Sequence, residues 1–257
     1  MRKTVMNSLV LVAGAVVYSH AIFGIGGQWS PALGLEVKQS KGTVDSAGTR
    51  KFVVDEKGVS GLNGLGLKLW LDFLPLIDIE LGTNIQYGVY DLALTGPISP
   101  TADTTIEVKY DFGIPLVPTK PVFARIVSDI SVLYPFLKLP PLISLVKVYG
   151  GAGVSHVLGT QVMTADFAKS ALAKAGPTKF DPATSTPADA AKVLADAIID
   201  EGLKSGFGFH LVVGAKAKPP IVPIAVFANF KYHILSGMPS VVDGNSITME
   251  LGGALAF

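Results

Sequence analysis

The chain has 257 residues, 49% of them hydrophobic and only 16% charged, with a formal net charge of +1. A soluble domain usually carries about 25% charged residues, so this chain is unusually apolar, with a mean hydropathy of +0.47. Its near-neutral balance removes the electrostatic case for a nucleic-acid partner, and the absence of Cys excludes a disulfide framework or a thiolate metal site.

Arg2 and Lys3 precede an apolar stretch from Val5 to Val17, and Ser19-His20-Ala21 fits a small-x-small cleavage site. This is the pattern of a secretory signal peptide. The expected organisation is a signal peptide over residues 1–21 and a single barrel domain over residues 22–257. Beyond the signal, no stretch reaches the roughly 18 consecutive apolar residues of a transmembrane helix. The apolar residues are instead distributed with a period of two, the period of a strand.

Phe23–Val37 sets Phe23, Ile25, Trp29, Leu33, Leu35 and Val37 against Gly24, Gly26, Gln28, Gly34 and Glu36. Gly64–Phe73 sets five bulky apolar residues against Gly64, Gly66, Lys68, Trp70 and Asp72. Ile77–Tyr90 places Asp78, Glu80, Asn84 and Gln86 on its polar face, and Thr104–Ile114 places Glu107, Lys109 and Asp111 there. Val122–Tyr134 alternates with Arg125, Asp129 and Ser131 on the polar side. Val146–Ser155 follows more weakly, with Lys147 and Tyr149. Gly206–Ala217 carries His210 and Lys216 on its polar face, and Ile224–Ile234 carries Asn229, Lys231 and His233. These runs approach the ~9–11 residues that cross a bilayer as a strand, whereas globular strands average ~5–6. A soluble barrel around an apolar ligand is the alternative, with charge outside and apolar residues within.

Pro75, Pro140-Pro141 and Pro219-Pro220 mark three similar tight turns, since Pro belongs at strand ends. The long connections are then Lys38–Ser60, Asp91–Asp103, His156–Ser205 and Leu235–Asn245. Counting every alternating run gives nine strands, but bacterial single-chain barrels have even counts. Either Thr104–Ile114 or Val122–Tyr134 therefore does not span, or one crossing is missing. Eight strands are expected, with ten as the alternative.

The 156–205 insertion changes period. Thr164 caps a predicted helix to Lys174, ended by Gly176-Pro177. Thr186-Pro187 starts a second helix with an apolar stripe of Ala191, Leu194, Ala195, Ile198 and Ile199. A structured insertion of this length is often functional.

Chemical signatures are sparse. After the signal only His156, His210 and His233 remain, with no i, i+4 pair, no H-E-x-x-H and no G-x-S-x-G. Ser155 and His156 are adjacent on a strand and point to opposite faces. No catalytic, cofactor or metal residue is expected. The candidate lumen residues are Lys68, Asp72, Asp78, Glu80, Glu107, Lys109, Asp111, Lys147, Lys216 and Lys231. Eight strands leave a lumen that side chains fill, so these charges are expected to pair and close it. Ten strands would let them line a narrow channel for small or apolar molecules.

The chain ends in Glu250-Leu251-Gly252-Gly253-Ala254-Leu255-Ala256-Phe257. Glu250, Gly252, Leu255 and Phe257 carry a polar-x-Gly-x-x-apolar-x-aromatic pattern that resembles the C-terminal insertion signal of bacterial outer-membrane barrels. With the signal peptide, the alternation and the proline turns, the chain resembles the small outer-membrane barrel class that includes OmpA-, OmpX- and OmpW-like proteins. The resemblance implies a Gram-negative outer membrane and its lipid as surroundings, with insertion by the barrel-assembly machinery acting on the last strand. It implies no activity. A non-enzymatic structural or surface-binding barrel is the expected function.

Overall fold

The structure is a computed structural model that describes residues 23–45, 51–72, 76–99, 102–109, 120–139, 145–181, 184–219 and 222–257. Residues 1–21, Asp111, Pro75, Pro140, Pro141 and Pro220 lie outside these. The strands are β1 (Phe23–Trp29), β2 (Ala32–Val37), β3 (Ser40–Asp45), β4 (Lys51–Glu56), β5 (Val59–Leu71), β6 (Asp78–Val89) and β7 (Leu92–Ser99). β8 (Ala102–Glu107), β9 (Val122–Leu139) and β10 (Leu145–Thr160) follow. Two helices, α1 (Ala165–Ala175) and α2 (Pro187–Glu201), precede β11 (Leu203–Lys218), β12 (Ile224–Ser236) and β13 (Asn245–Ala256).

Eight antiparallel crossings close into a barrel. β1 and β2 form one crossing, interrupted at Ser30-Pro31, and both pair with β5 on one side and β13 on the other. The remaining crossings are β6, β9, β10, β11 and β12. Following the register once around the wall leads from Phe23 through Leu71, Ile79, Val132, Ala152, Leu211, Tyr232 and Ile247 to Leu33. The path returns ten residues up the first crossing. With eight strands, that stagger sets a tilt of about 41° and a backbone radius of about 8 Å.

The polarity is inverted relative to a soluble barrel. Outward positions are large and apolar: Leu65 and Leu67 are each 68% exposed and Phe209 is 69% exposed. Inward positions hold the buried charges. Phe23 and Leu33, both outward, are separated by ten residues that climb about 25 Å along the axis at this tilt. That equals the apolar band of about 25 Å on transmembrane barrels. Among the described residues no helix is long and apolar enough to cross a membrane; strands make the wall. The soluble barrel with an apolar interior is thereby corrected, because the charged side chains face inward.

So narrow a lumen needs glycine where a large side chain crosses it. A Cβ on Gly153 would overlap the His210 ring, and one on Gly252 would overlap the Phe227 ring.

Thr104–Ile114 is not a crossing. Its described part forms β8, which pairs with β7 in a separate four-stranded sheet, ordered β3-β4-β7-β8, beyond one end of the barrel. It alternates because Ile106 and Val108 pack on the core of that sheet while Glu107 and Lys109 face solvent. Glu107 and Lys109 are therefore not lumen residues. A half-buried strand alternates whichever solvent it meets, so the pattern alone could not separate this segment from a true crossing. Its removal resolves the count at eight rather than ten.

The small sheet and the helices form a cap. α1 packs on β3 and β4, and α2 on β7 and β8. Their shared core includes Phe52, Val54, Leu94, Leu172, Phe180 and Leu194, with Phe52 and Phe180 edge-to-face at 5.4 Å. Thr164 caps α1 through a bond from the Phe167 amide at 3.1 Å. Thr186 and Asp189 form a reciprocal capping box at the start of α2.

Candidate functional site

Alternation along each strand sends polar residues inward, and the ten-residue stagger decides which of them meet. The lumen is stacked in layers. At the end that carries Phe23 and the C-terminal Phe257, Lys147 lies 3.1 Å from Asp72 and 3.2 Å from Asp78. Lys216 lies 2.8 Å from Asp72 and over the Trp70 ring at 4.6 Å. The cavity here, beside Trp70 and Asp72, is about 10 Å³, at the limit for one water.

The middle layer is a crossed pair of ion pairs. Lys68 contacts Glu250 at 2.5 Å and Glu80 at 3.0 Å. Lys231 contacts Glu80 at 3.0 Å, Glu250 at 3.1 Å and Asp129 at 3.2 Å. Gln28, Asn84 and Asn229 donate to the Glu250 carboxylate at 3.2, 3.1 and 3.0 Å. Tyr149 donates to Asn229 at 2.6 Å. All four ionised side chains of the crossed pair are at most 2% exposed. Isolated charges at such burial would cost several kcal/mol each; mutual pairing and amide donors offset that cost.

Above this lies a Ser–His–Asp cluster that is not a catalytic triad. The Ser155 hydroxyl donates to Asp129 Oδ1 at 2.7 Å. His210 Nδ1 and His233 Nδ1 lie 2.9 and 3.2 Å from Ser155 Oγ, and Ser131 Oγ lies 2.8 Å from His210 Nε2. One assignment satisfies all four bonds: both imidazoles donate from Nδ1 to Ser155, and Ser131 donates to His210. The serine proton then points to the Asp129 carboxylate, and neither imidazole accepts it. Asp129, His210 and His233 could each offer one metal ligand. A dication there would share Asp129 with the Lys231 ammonium, so the charge distribution opposes one.

Arg125 closes the cap end, donating from Nε to Gln86 at 2.7 Å and from Nη2 to Ser246 at 3.0 Å. Among the described residues, five cations (Lys68, Arg125, Lys147, Lys216, Lys231) face five carboxylates (Asp72, Asp78, Glu80, Asp129, Glu250) in the lumen.

Of the candidate lumen residues, Lys68, Asp72, Asp78, Glu80, Lys147, Lys216 and Lys231 thus meet in the lumen. Arg125, Asp129, His210, His233 and Asn229 were absent from that set. Each stood on the polar face of its strand, so the signal was present, but its partners come from distant strands. Of the C-terminal residues, Glu250 and Gly252 point inward, while Leu255 and Phe257 face out at 49% and 63% exposure. Ser155 faces in and His156 faces out, where its Nε2 lies 2.9 Å from Ser205 Oγ.

In the cap, Glu56 is fully buried. Neither of its carboxylate oxygens has a hydrogen-bond partner in bonding geometry. Burial pushes its carboxyl up to about 7, a cost that the nearby Gly58 and Ser40 amides offset only in part. In the cap, a groove of about 560 Å³ is lined by α1 and α2 together with Gln161 and Ser240.

No protein-family model matches the chain, and no curated protein sequence matches it. Among solved structures, it is similar to the crystal structure of Ail, the attachment invasion locus protein of Yersinia pestis, at 10% identity and a TM-score of 0.36, over 91% of this chain and 96% of that one. Ail in complex with the heparin analogue sucrose octasulfate aligns at 12% identity and a TM-score of 0.35, over 90% and 99%. The outer membrane protein OprG from Pseudomonas aeruginosa aligns at 13% identity and a TM-score of 0.39, over 93% and 97%. The barrel described above rests on this chain's own register and polarity, not on these similarities.

Proposed function

We propose that this chain is a bacterial outer-membrane β-barrel with a closed, charge-paired lumen and a non-enzymatic, surface-binding role carried by its cap. The observation that supports this reading most directly is the inverted polarity: an outward apolar band about 25 Å tall around a core in which five cations balance five carboxylates among the described residues. Residues 1–21 serve as the export signal, and the last strand, through Glu250, Gly252, Leu255 and Phe257, as the segment the barrel-assembly machinery reads. The proline turns and the C-terminus then face the periplasm, and the cap faces out.

The native chain has no Cys, so single-cysteine variants give a clean test. In proteoliposomes, Leu67→Cys and Phe209→Cys should resist a membrane-impermeant maleimide until detergent is added. Ser170→Cys in the cap should react at once on outward-facing molecules. Equal labelling of all three in intact liposomes would sink the membrane reading.

A further inference from the structure

The groove between α1 and α2 has a composition that selects a ligand class. Its floor is half-buried and apolar, formed by Phe167, Ala171, Val193 and Ala197. Its rim carries Asp166, Asp196, Asp200 and Glu201 against Lys174 and Lys179. Three of the four carboxylates fall in the last turns of α2, which has no basic residue in its final turn.

That placement is electrostatically unfavourable. The C-terminus of a helix carries about half a negative charge, and carboxylates there destabilise it. Glu201 is relieved by Lys204 at 2.5 Å; Asp196 and Asp200 have no ion-pair partner among the described residues. The unpaired carboxylates and the helix end therefore sum to a negative field beside an apolar trough. At about 560 Å³ the trough falls in the range of ligand-binding clefts.

We infer that this groove binds a cationic amphipathic peptide segment, whose apolar side chains fill the floor and whose Lys or Arg groups meet Asp196 and Asp200. The inference deepens the surface-binding reading above and rests on it: the occupant comes from outside the cell. Charge complementarity selects a basic partner over an acidic one, and the apolar floor selects an amphipathic segment over a free ion.

The test uses the full barrel in zwitterionic nanodiscs, with empty discs as reference. The probe is a synthetic helical peptide of Lys and Leu, with a Glu and Leu peptide as control. The Lys peptide should bind the barrel discs above the empty-disc background and weaken as salt is raised, because exposed charges are screened. The Glu peptide should not bind. Asp196→Asn/Asp200→Asn should lower affinity at least tenfold, and Ala197→Trp, which fills the floor, should do the same. Asp103→Asn, on exposed β8, should leave affinity unchanged. Retained heat-modifiable gel migration shows that each variant is folded. Binding no stronger than to empty discs, or unaffected by both groove variants, overturns the inference. The maleimide result in liposomes is independent of the peptide, so failure here would leave the barrel reading intact.

Discussion

Removing the Glu250 carboxylate is the most informative perturbation of the lumen. Glu250 is fully buried and takes contacts from Lys68 at 2.5 Å, Lys231 at 3.1 Å, and three side-chain amides at 3.0–3.2 Å. Glu250→Gln preserves shape but leaves five cations facing four carboxylates. Breaking one side of a buried ion pair costs about 3–5 kcal/mol. Lys68 and Lys231 each keep Glu80 at 3.0 Å, so the lower end, about 3 kcal/mol, is expected. Adding Lys231→Met restores neutrality, so the double variant should lose about 1–3 kcal/mol less than the two single losses combined. Urea unfolding of the lipid-reconstituted protein, read as the fraction with folded gel mobility, measures all four members of the cycle. Strictly additive losses, or a Glu250→Gln variant within about 0.5 kcal/mol of the parent, would refute the coupled ionic core.

Further outcomes follow from single contacts. Gly153→Val should cost about 1–3 kcal/mol or block folding, since its Cβ would meet the Ile130 carbonyl and the His210 ring. Gly27→Ala, which meets nothing nearer than 3.9 Å, should be near neutral in the same urea assay. The Glu56 carboxyl is raised by burial from 4.5 to about 7, so the folded cap holds this proton more tightly than the unfolded chain. Its contribution is then fully present below about pH 4.5 and lost as pH rises through about 7. Hydrogen exchange of the β3 and β4 amides should therefore show less stability at pH 8 than at pH 5, and Glu56→Gln should flatten the difference. Thr186→Ala removes the cap of α2 and should cost about 1 kcal/mol, read as lost protection of the first-turn amides with no change in the barrel strands.

The wall of the barrel was legible because a strand that meets lipid on one face and a packed lumen on the other must alternate along its whole length. The helix caps were legible because Thr164, Thr186 and Pro187 act locally. The cap sheet was not. β8 obeys the same alternation as β9, and only pairing with β7 distinguishes it, which is a long-range fact. Pairing inside the lumen was hidden for the same reason. Lys68 and Glu250 are separated by 182 residues and meet only because the wall closes with a ten-residue stagger. His210 and His233 lack any motif spacing, yet they sit directly opposite each other on β11 and β12.

Single-channel recording of the purified protein in planar bilayers tests the closed lumen most directly. Five cations balanced by five carboxylates across the described lumen predict no conductance steps at any voltage the bilayer withstands. Stepwise, ion-selective conductance in the parent, altered by Lys68→Ala, would contradict it.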